Sequence, residues 1–445
     1  FDVDHLLMPH PELLCMAVIQ SLDDDVLSEI MAYLPALELC RMRACNRRLH
    51  KAASCERPWR ELCLNLASLD VASAYAAVWG APEQRSPELI DKQRTTWCPW
   101  VDVYCSLDTK YETRLFHNRR HRYERISTVP DASPLAVQQP LLMRLPGNKV
   151  MLFGGGQYDS FDNLQVANIV QVMDLERGTW AQIHPPVHPL HARAWFGCAM
   201  VWCGDGQVLL HGGGTYHSPF MDMSLIRYAS TADAPTPFLS VESLPPYEEG
   251  PPPRYAHTGV HYRGQVIIFG GRAYNTHYND VWVYALKTGQ WHQPLISGQP
   301  PSPRKWSVAV RAGSRMYIFF GSPWWGPFLP DLSSVFTLNL ETWTWTEVAT
   351  LGPKARCQCA FVRAGREVLF HGGFDVENRQ YYNDMWLFDL HTHKWKFLGE
   401  VGVTRASHVL LLRALHPLTV WICYGGQYMR RWLAKASDHE EVVFE

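Results

Sequence analysis

The chain has 445 residues, of which 47% are apolar and 19% charged, with a net charge of −2. This composition excludes a disordered chain, and the near-neutral charge argues against bulk attraction to nucleic acid or to an anionic membrane. No apolar run reaches the roughly 18 residues of a membrane-spanning helix, and no Cys-x-x-Cys pair indicates a disulfide framework or zinc. We therefore expect a soluble protein with free thiols in the cytoplasm, with the nucleus as a second compartment.

The first predicted elements are helices in a small unit over residues 21–65, after an N-terminal segment over residues 1–20. In "SLDDDVLSEIMAYLP", Ser21 and the acidic residues after it suit the first turn of a helix, and Pro35 ends that helix. The apolar residues between them form one stripe at helical spacing. A second helix, "ALELCRMRACNRRLH", and a third element led by Trp59 follow. Because so small a unit buries little by itself, we expect its stripe to pack against a partner or the next domain.

Residues 66–121 are predicted to form a partly helical connector. The stretch "LDVASAYAAVWG" is typical of a helix, whereas "TTWCPWVDVYCSL" indicates an extended apolar segment. The basic run "RLFHNRRHRYER" near its end is interpreted as a solvated segment, with a patch for an anionic partner as the alternative. We expect the connector to set the angle between the helical unit and the rest of the chain.

The remainder of the chain, residues 122–445, repeats one pattern six times. An apolar run of four to six residues ends in a glycine pair, as in "VIIFGG" and "VLFHGG". With Phe320 of "MYIFFGS" as one counterpart, the repeated position falls at residues 154, 212, 270, 320, 372 and 425. The intervals are therefore 58, 58, 50, 52 and 53 residues, which indicates a repeat architecture with units of about fifty residues.

Each unit predicts four short strands: one after a proline-rich turn, the run before the glycine pair, a third such as "NDVWVY", and a fourth opened by a tryptophan. Four strands cannot bury both faces of their sheet alone. We therefore predict a mainly β fold, a six-bladed β-propeller preceded by the small all-helical domain. Packing between blades is assigned to the repeated indole rings, Trp282, Trp291, Trp386 and Trp395.

Both ends of the repeat region are predicted to close the ring. The sixth unit is incomplete, because only a short tail follows its glycine pair. The stretch "YERISTVP", residues 123–130, has the pattern of a fourth strand with no unit before it, and the terminal "EEVVFE" suits a third strand. We predict that both complete the sixth blade, because an open sheet edge invites aggregation.

The repeated residues resemble the kelch repeat. The resemblance rests on the apolar run before Gly-Gly, on Asp280 and Trp282 with their counterparts Asp384 and Trp386, and on the tryptophan that opens the fourth strand. It extends over residues 122–445 and implies a propeller whose loops hold a partner.

Eight residues of the helical unit follow the order and nearly the spacing of the F-box: Leu22, Leu27, Ile30, Leu34, Pro35, Leu39, Cys45 and Trp59. The unit therefore resembles the F-box, with departures at Asp23, where proline is most frequent, at Met31, where an aromatic residue is common, and at Arg48 and Leu49, near the usual aromatic of the second helix. The resemblance implies a surface that docks a Skp-type adaptor. Its expected residues are Leu22, Val26, Leu27, Ile30, Leu34, Pro35, Leu39 and Trp59.

Together the two resemblances imply the substrate-recognition subunit of an SCF-type cullin–RING ubiquitin ligase. Its expected partners are the Skp-type adaptor, the cullin scaffold and a target protein, and neither a membrane nor nucleic acid. The alternative is a non-catalytic kelch interaction scaffold or assembly factor unrelated to ubiquitin.

No catalytic, metal or cofactor site is expected. The sequence lacks H-E-x-x-H, G-x-S-x-G and a phosphate-binding glycine loop. His211 and His371 precede their glycine pairs where Phe153 and Phe269 stand in other units. We interpret both histidines as replacing an apolar filler, and we expect no enzyme activity.

Charged and aromatic residues that repeat around the predicted ring are the candidates for target binding. An arginine begins the first strand of five units, and guanidinium groups gathered at one face would favour an acidic or phosphorylated segment. The alternative is that each arginine stabilises its blade by pairing an acid, such as Asp280 or Asp384, in a neighbouring repeat. The candidates are Arg193, Arg254, Arg304, Arg356 and Arg405, with Tyr274, Trp324 and Trp325 from the loops after the glycine pairs.

Overall fold

The structure is a computed structural model. It describes residues 121–126 and most of the chain from 141 to 444, with the continuous stretches 238–323, 330–364 and 366–415. Residues 1–120, which include the predicted helical unit and nearly all of the connector, lie outside the described residues. None of the described helices is long and apolar enough to cross a membrane.

The described strands form six four-stranded antiparallel sheets, one for each predicted repeat, which we number blades I to VI. Blade I has β2 (Leu141–Leu145), β3 (Lys149–Phe153), β6 (Val170–Asp174) and β7 (Thr179–Ile183). Blade II has β8 (Ala199–Gly204), β9 (Gln207–His211), β10 (Met223–Ala229) and β11 (Phe238–Ser243). Blade III has β12 (Thr258–Tyr262), β13 (Gln265–Phe269), β16 (Val281–Ala285) and β17 (Gln290–His292).

The remaining three blades repeat this order. Blade IV has β18 (Val308–Ala312), β19 (Arg315–Phe319), β20 (Val335–Asn339) and β21 (Thr344–Val348). Blade V has β22 (Ala360–Ala364), β23 (Glu367–Asp375), β24 (Gln380–Asp389) and β25 (Lys394–Glu400). Blade VI has β26 (Val409–Leu415), β27 (Leu418–Cys423), β28 (His439–Phe444) and β1 (His121–Ile126). First strands of neighbouring blades contact each other, which places them next to the propeller axis.

The loops between second and third strands differ from blade to blade. Blade I adds a hairpin of β4 (Gly156–Tyr158) and β5 (Leu164–Val166), and blade III adds β14 (Arg272–Ala273) and β15 (Thr276–His277). Blade IV instead has a 3-10 turn over Pro330–Ser333. The prediction of six blades on a mainly β fold is confirmed, and the blades differ chiefly in these loops.

The predicted ring closure is also confirmed. Strand β28 pairs with β27 as the third strand of blade VI, and β1 pairs with β28 as its fourth. The register joins Tyr123 to Val442 and Arg125 to Glu440. Strands from both ends of the repeat region therefore share one sheet, which ties the first described strand of the chain to the last.

The hydrophobic core lies between the blades, where the faces of neighbouring sheets meet. Ile267 and Val283 of blade III pack in one cluster with Ile318 and Leu338 of blade IV. A second cluster joins blade IV to blade V, and a third joins blade II to blade III. Of the tryptophans assigned to packing, Trp291 belongs to the cluster between blades II and III, and Trp282 and Trp395 pack against clusters. The ring of Trp386 lies 6.4 Å from that of Trp395. The alternation of side chains along each strand supplies both faces.

The glycine pairs are required by a close backbone approach. Gly270 has a φ of +69°, and a Cβ atom there would lie 2.8 Å from the carbonyl oxygen of Arg304 in the next blade. The amide of the second glycine, Gly271, donates to that same carbonyl at 2.9 Å. Because any side chain would push the two blades apart, the pair sets the spacing between them.

Candidate partner-binding site

The predicted adaptor-binding residues cannot be placed by the structure. All eight lie between Leu22 and Trp59, outside the described residues. Their role as the docking surface therefore stays a prediction.

The arginine before the first strand of blade III lies inside its own blade. Arg254 is fully buried and donates to both carboxylate oxygens of Asp280, at 2.6 and 2.8 Å. It also donates to the carbonyl of Gly270 at 3.0 Å, and its guanidinium lies 4.2 Å from the centre of the Tyr278 ring. The indole N–H of Trp282 donates to the same carboxylate at 2.8 Å. One carboxylate thus joins the start of the first strand to the start of the third.

Blade V repeats this arrangement. Arg356 pairs with Asp384 through both guanidinium nitrogens and donates to the carbonyl of Gly372 at 2.9 Å. Trp386 donates to Asp384 at 2.7 Å, and the ring of Tyr382 lies 4.2 Å from the guanidinium. The recurring residues Asp-x-Trp in the third strand are therefore hydrogen-bonding partners of the arginine as well as packing residues.

Blade IV reaches the same pairing with an acid from elsewhere. The buried Arg304 donates to Asp331 at 2.7 Å and to the carbonyl of Phe320 at 3.1 Å. Asp331 belongs to the 3-10 turn of Pro330–Ser333 and not to the third strand. No direct signal in the sequence points to this acid, because the turn has no counterpart in the described loops of the other repeats.

These positions favour the stabilising role of the arginines over their predicted role in target binding. Arg254, Arg304 and Arg356 expose 4% of their surface or less, and each bonds to an acid of its own blade rather than of a neighbouring one. A buried bidentate pair leaves no guanidinium edge for a partner. Arg405 is also buried, whereas Arg193 lies outside the described residues.

The aromatic candidates divide in the same way. Tyr274, in the loop between β14 and β15, exposes 64% of its surface and suits contact with a partner. Trp324 and Trp325 lie outside the described residues. Tyr274 is therefore the one aromatic candidate among the described residues, and its role in target binding stays a prediction.

Three basic residues near this loop form a cluster that the sequence did not single out: Arg272, His277 and Lys305, here called the cationic cluster. Arg272 directly follows the glycine pair of blade III, and its backbone bonds twice to Tyr255 at 2.9 Å. Lys305 directly follows Arg304 and bonds in the same way to Ser322. Each position is thus fixed by a short ladder between the start of the first strand and the loop after the glycine pair.

Burial and the charge of Arg272 lower the pKa values of the other two members of the cationic cluster. Burial, and then the charge of Arg272, lower the pKa of Lys305 to about 6. Burial, then Lys305 and Arg272, lower the pKa of His277 to about 4. Arg272 also donates from Nε to the carbonyl of Tyr274, which holds the exposed aromatic beside the cations. An approaching anion would favour the protonated form of Lys305.

A strained backbone position that recurs in several blades directly follows Lys305. The residues two places after the arginines have left-handed φ angles of 54° to 55°, although none is glycine; they are Ala256, Trp306, Gln358 and Ser407. The amide of Trp306 donates to the carbonyl of Ala256 at 2.8 Å, and the amide of Ser407 donates to Gln358 at 2.9 Å. Such conformations persist only where neighbouring structure fixes them. The Lys305 ammonium lies 3.6 Å from the centre of the Trp306 ring.

The histidines before the glycine pairs are buried, as the filler interpretation requires, but they are also hydrogen-bonded. His211 lies 2.9 Å from His257, and His371 lies 2.8 Å from His408, measured between ring nitrogens. No group of three or more metal-ligating side chains occurs among the residues that the structure describes.

Comparison with known protein families identifies two domains in the chain. Residues 19–61 match the F-box domain, and residues 235–426 match the KLHDC2/KLHL20/DRC7 Kelch-repeats domain. The second match contains blades III, IV and V completely. Both resemblances noted from the sequence are therefore confirmed, whereas the predicted domain boundaries stay predictions.

Similar curated proteins share the repeat region only in part. Host cell factor of Drosophila melanogaster is 27% identical over 186 residues, which are 37% of this chain and 12% of that protein. Acyl-CoA-binding domain-containing protein 4 of Arabidopsis thaliana is 24% identical over 59% of this chain and 35% of its own length. Kelch domain-containing protein 1 of Homo sapiens is 26% identical over 58% of this chain and 68% of its own length. The chain thus spans about a third or less of the first two relatives.

Proposed function

Because the chain carries an F-box domain followed by a kelch-repeat propeller, we propose that it is the substrate-recognition subunit of an SCF-type cullin–RING ubiquitin ligase. The F-box docks a Skp-type adaptor, and the propeller holds the target protein. The chain itself transfers no group. It raises the effective concentration of the target's lysines near the ubiquitin carrier, as a linked binding module does.

The observation that carries this proposal is the order of the two domains on one chain. An adaptor-binding domain alone would bring no target protein to the ligase, and a propeller alone would bind a target without bringing it to the ligase. The combination needs only a rigid face for the target, and the loops on one face of the propeller supply it.

We assign the target to the face that carries the cationic cluster and Tyr274. Tyr274 exposes 64% of its surface for direct contact, and the buried Arg272, joined by Lys305 when it is protonated, adds positive potential beside it, which suits an acidic or phosphorylated segment. Because an acidic ligand raises the pKa of Lys305 from about 6, its binding takes up a proton near neutral pH. Capture of such a segment should therefore strengthen as the pH falls from 7.5 to 6.

The adaptor test replaces two leucines of the apolar stripe, Leu27→Glu and Leu34→Glu, in the full chain. Two charges on an apolar docking surface should abolish co-purification of the Skp-type adaptor and the cullin, while the melting temperature of the propeller stays unchanged. Leu295 and Leu351 expose 95% and 97% of their surface, so Leu295→Glu with Leu351→Glu is the matched control. That control should keep the adaptor.

Retention of the adaptor by the Leu27→Glu, Leu34→Glu variant would overturn the proposal. Absence of adaptor and cullin from the wild-type complexes, together with stable capture of other proteins by the propeller, would favour the alternative of a non-catalytic scaffold.

A further inference from the structure

A second feature, apart from the cationic cluster, is a polar groove between blades IV and V. It has a volume of about 680 Å³ and follows β21 on one side, with the turn at Thr392 and His393 of blade V on the other. Five of its eleven lining residues are threonines. That turn joins β24 to β25, at the opposite end of blade V from the loop after the glycine pair.

The neighbouring junction fills the equivalent space with apolar side chains. Between blades III and IV, the fully buried Val283 belongs to the core, and Trp343 and Ile296 pack against it. Val283 pairs with Ile267 on the second strand, as Thr337 pairs with Tyr317 in blade IV. Val283 and Thr337 therefore occupy equivalent positions.

The two apolar residues that pack against this cluster are also replaced by polar residues. Trp343 and His393 each stand three residues after the leucine of the turn, both with left-handed φ angles, of 54° and 55°. Ile296 and Thr350 each stand five residues after the strand-opening tryptophan. Valine, tryptophan and isoleucine thus become threonine, histidine and threonine, which leaves the groove open. Packing does not explain this replacement, because apolar residues fill the same backbone one blade away.

The walls of the groove are held in place by the protein itself. Thr337 is buried and its hydroxyl donates to the carbonyl of Thr346. The Tyr317 hydroxyl donates to the carbonyl of Leu390 at 3.1 Å, so its oxygen can accept from Nε2 of His393 at 3.2 Å. The groove therefore does not depend on mobile side chains for its shape.

The lining has one cation and one anion. Arg315, on β19, is level with the start of β21, and Glu347 lies near the end of β21. Burial, and then the charge of Arg315, lower the pKa of His393, which is therefore neutral near pH 7. With a net charge near zero, the groove gains nothing from an acidic or a basic ligand. Hydroxyl groups both donate and accept, so uncharged hydroxyl and amide groups are their best partners.

The strand itself offers hydrogen-bonding groups to an extended chain. β21 is the outermost strand of its sheet, and Ser297 occupies its outer edge only beside Trp343 and Trp345. Because alternate residues face outward in an antiparallel pair, the backbone of Glu347 faces outward as well. Among the described residues, no backbone group bonds to it on that side. The five residues of β21 span about 13 Å, which accommodates an extended segment of about four residues.

We propose that this groove binds an extended segment of small, uncharged polar residues from a partner polypeptide, laid along β21. The segment contributes serine, threonine, asparagine or glutamine side chains to the threonine wall, and its main chain bonds to the outer edge of the strand. The site is independent of the proposed ligase function.

The test uses fluorescein-labelled eight-residue peptides and the full chain. Four libraries have their central four positions drawn from Ser/Thr/Asn/Gln, from Asp/Glu, from Lys/Arg, or from Val/Leu, and binding is measured by fluorescence anisotropy. The first library should contain the tightest binders. The Thr337→Val, His393→Trp variant, which copies the filled junction, should weaken them at least tenfold.

Two further variants keep the test decisive. Thr346 is exposed on β21, so Thr346→Lys should block the groove and weaken peptide binding at least tenfold without changing the melting temperature. The reciprocal change at the filled junction, Val283→Thr with Trp343→His, should leave peptide affinity unchanged. The proposal is overturned if the first library binds no better than the others, if Thr346→Lys leaves binding unchanged, or if maltohexaose displaces the peptides and so identifies a glycan site.

Discussion

The four junctions between blades II and VI are of two chemical kinds. Between blades II and III, and again between V and VI, the position before the glycine pair and the third position after the next arginine are both histidines. Between blades III and IV, and between IV and V, the same two positions hold phenylalanine with serine or cysteine. The pairs are His211 with His257, His371 with His408, Phe269 with Ser307, and Phe319 with Cys359. We call them the His junctions and the Phe junctions.

The two His junctions have nearly identical geometry. The ring nitrogens lie 2.9 and 2.8 Å apart, and the rings cross at 86° and 90° with their centres 4.9 Å apart in both. In each junction, a Cβ atom on the first glycine of the pair, Gly212 or Gly372, would lie 2.9 Å from the second imidazole, that of His257 or His408. A repeated backbone thus holds either an imidazole pair or an apolar filler.

Hydrogen-bond chemistry fixes the tautomers of the pair between blades V and VI. The carbonyl of Val401 can only accept, so Nε2 of His371 carries the proton of that 3.0 Å bond. Nδ1 of His371 therefore accepts from Nε2 of His408. Nδ1 of His408 then keeps a lone pair that is buried without a hydrogen-bond partner among the described residues. The histidine pairs are thus hydrogen-bonded in their neutral form and can take up a proton, whereas the phenylalanine rings of the Phe junctions cannot.

The largest effect should come from a feature that both kinds of junction share, the buried arginine. Arg356→Ala leaves Asp384 without its partner and should lower the free energy of unfolding by about 3 kcal/mol, measured by urea denaturation. Arg254→Ala should cost a similar amount. The control is Arg227→Ala, because Arg227 is half exposed in its pair with Glu242 and should cost under about 1 kcal/mol. Equal effects of Arg356→Ala and Arg227→Ala would contradict the stabilising role.

The second effect separates the junctions by pH. Burial lowers the pKa of His371 to about 4, and burial with the neighbouring histidine and arginine charges lowers the pKa values of His257 and His408 well below the ordinary value. Below the unfolded pKa near 6.5, the unfolded chain binds protons that the native chain does not, so stability falls as the pH drops from 6.5 towards 4. By pH 5 the loss should be on the order of 2 kcal/mol for each of these three histidines.

The matched control for this pH dependence converts both His junctions to the Phe kind. The four substitutions are His211→Phe, His257→Ser, His371→Phe and His408→Ser. Urea unfolding of both proteins from pH 7.5 to 5 should show a shallower decline in the converted chain. His261 and His277, whose pKa values are also lowered to about 4, are present in both proteins and cancel in the comparison. Parallel profiles would refute the titration of the pairs.

The smallest effect tests the hydrogen bond within one pair. His371→Phe alone leaves the buried N–H of His408 without its acceptor, so it should destabilise the chain by about 1–3 kcal/mol at pH 7.5. Adding His408→Ser should recover most of that loss, because it restores the combination found at the Phe junction between blades III and IV. A double variant less stable than the single one would show that the two positions are not coupled in this way.

Much of the propeller follows from local patterns. The glycine pairs, the alternating strands and the unpaired end segments predict six blades and their closure, because these features depend on residues within one unit or on a count of units. The sixteen residues between Arg254 and Gly270, repeated from Arg356 to Gly372, correspond to a direct bond from guanidinium to carbonyl.

The candidate site was less predictable because its contacts join different units. His211 and His257 are 46 residues apart, and Arg272 meets Lys305 only through the packing of blades III and IV. Asp331 replaces the third-strand acid of blades III and V from a turn that occurs in no other described loop of the blades. The positions directly after each arginine and each glycine pair could nevertheless have indicated the site, because these positions repeat from unit to unit while their side chains vary.

The central claim is that one chain delivers propeller-bound proteins to a ligase through its F-box. The most direct measurement compares the half-lives of those proteins in cells that express the wild-type chain or the Leu27→Glu, Leu34→Glu variant. The account predicts that the variant still captures the same proteins, loses the adaptor, and leaves them longer-lived and less ubiquitinated. Unchanged half-lives and ubiquitination, with the adaptor lost and capture intact, would contradict it.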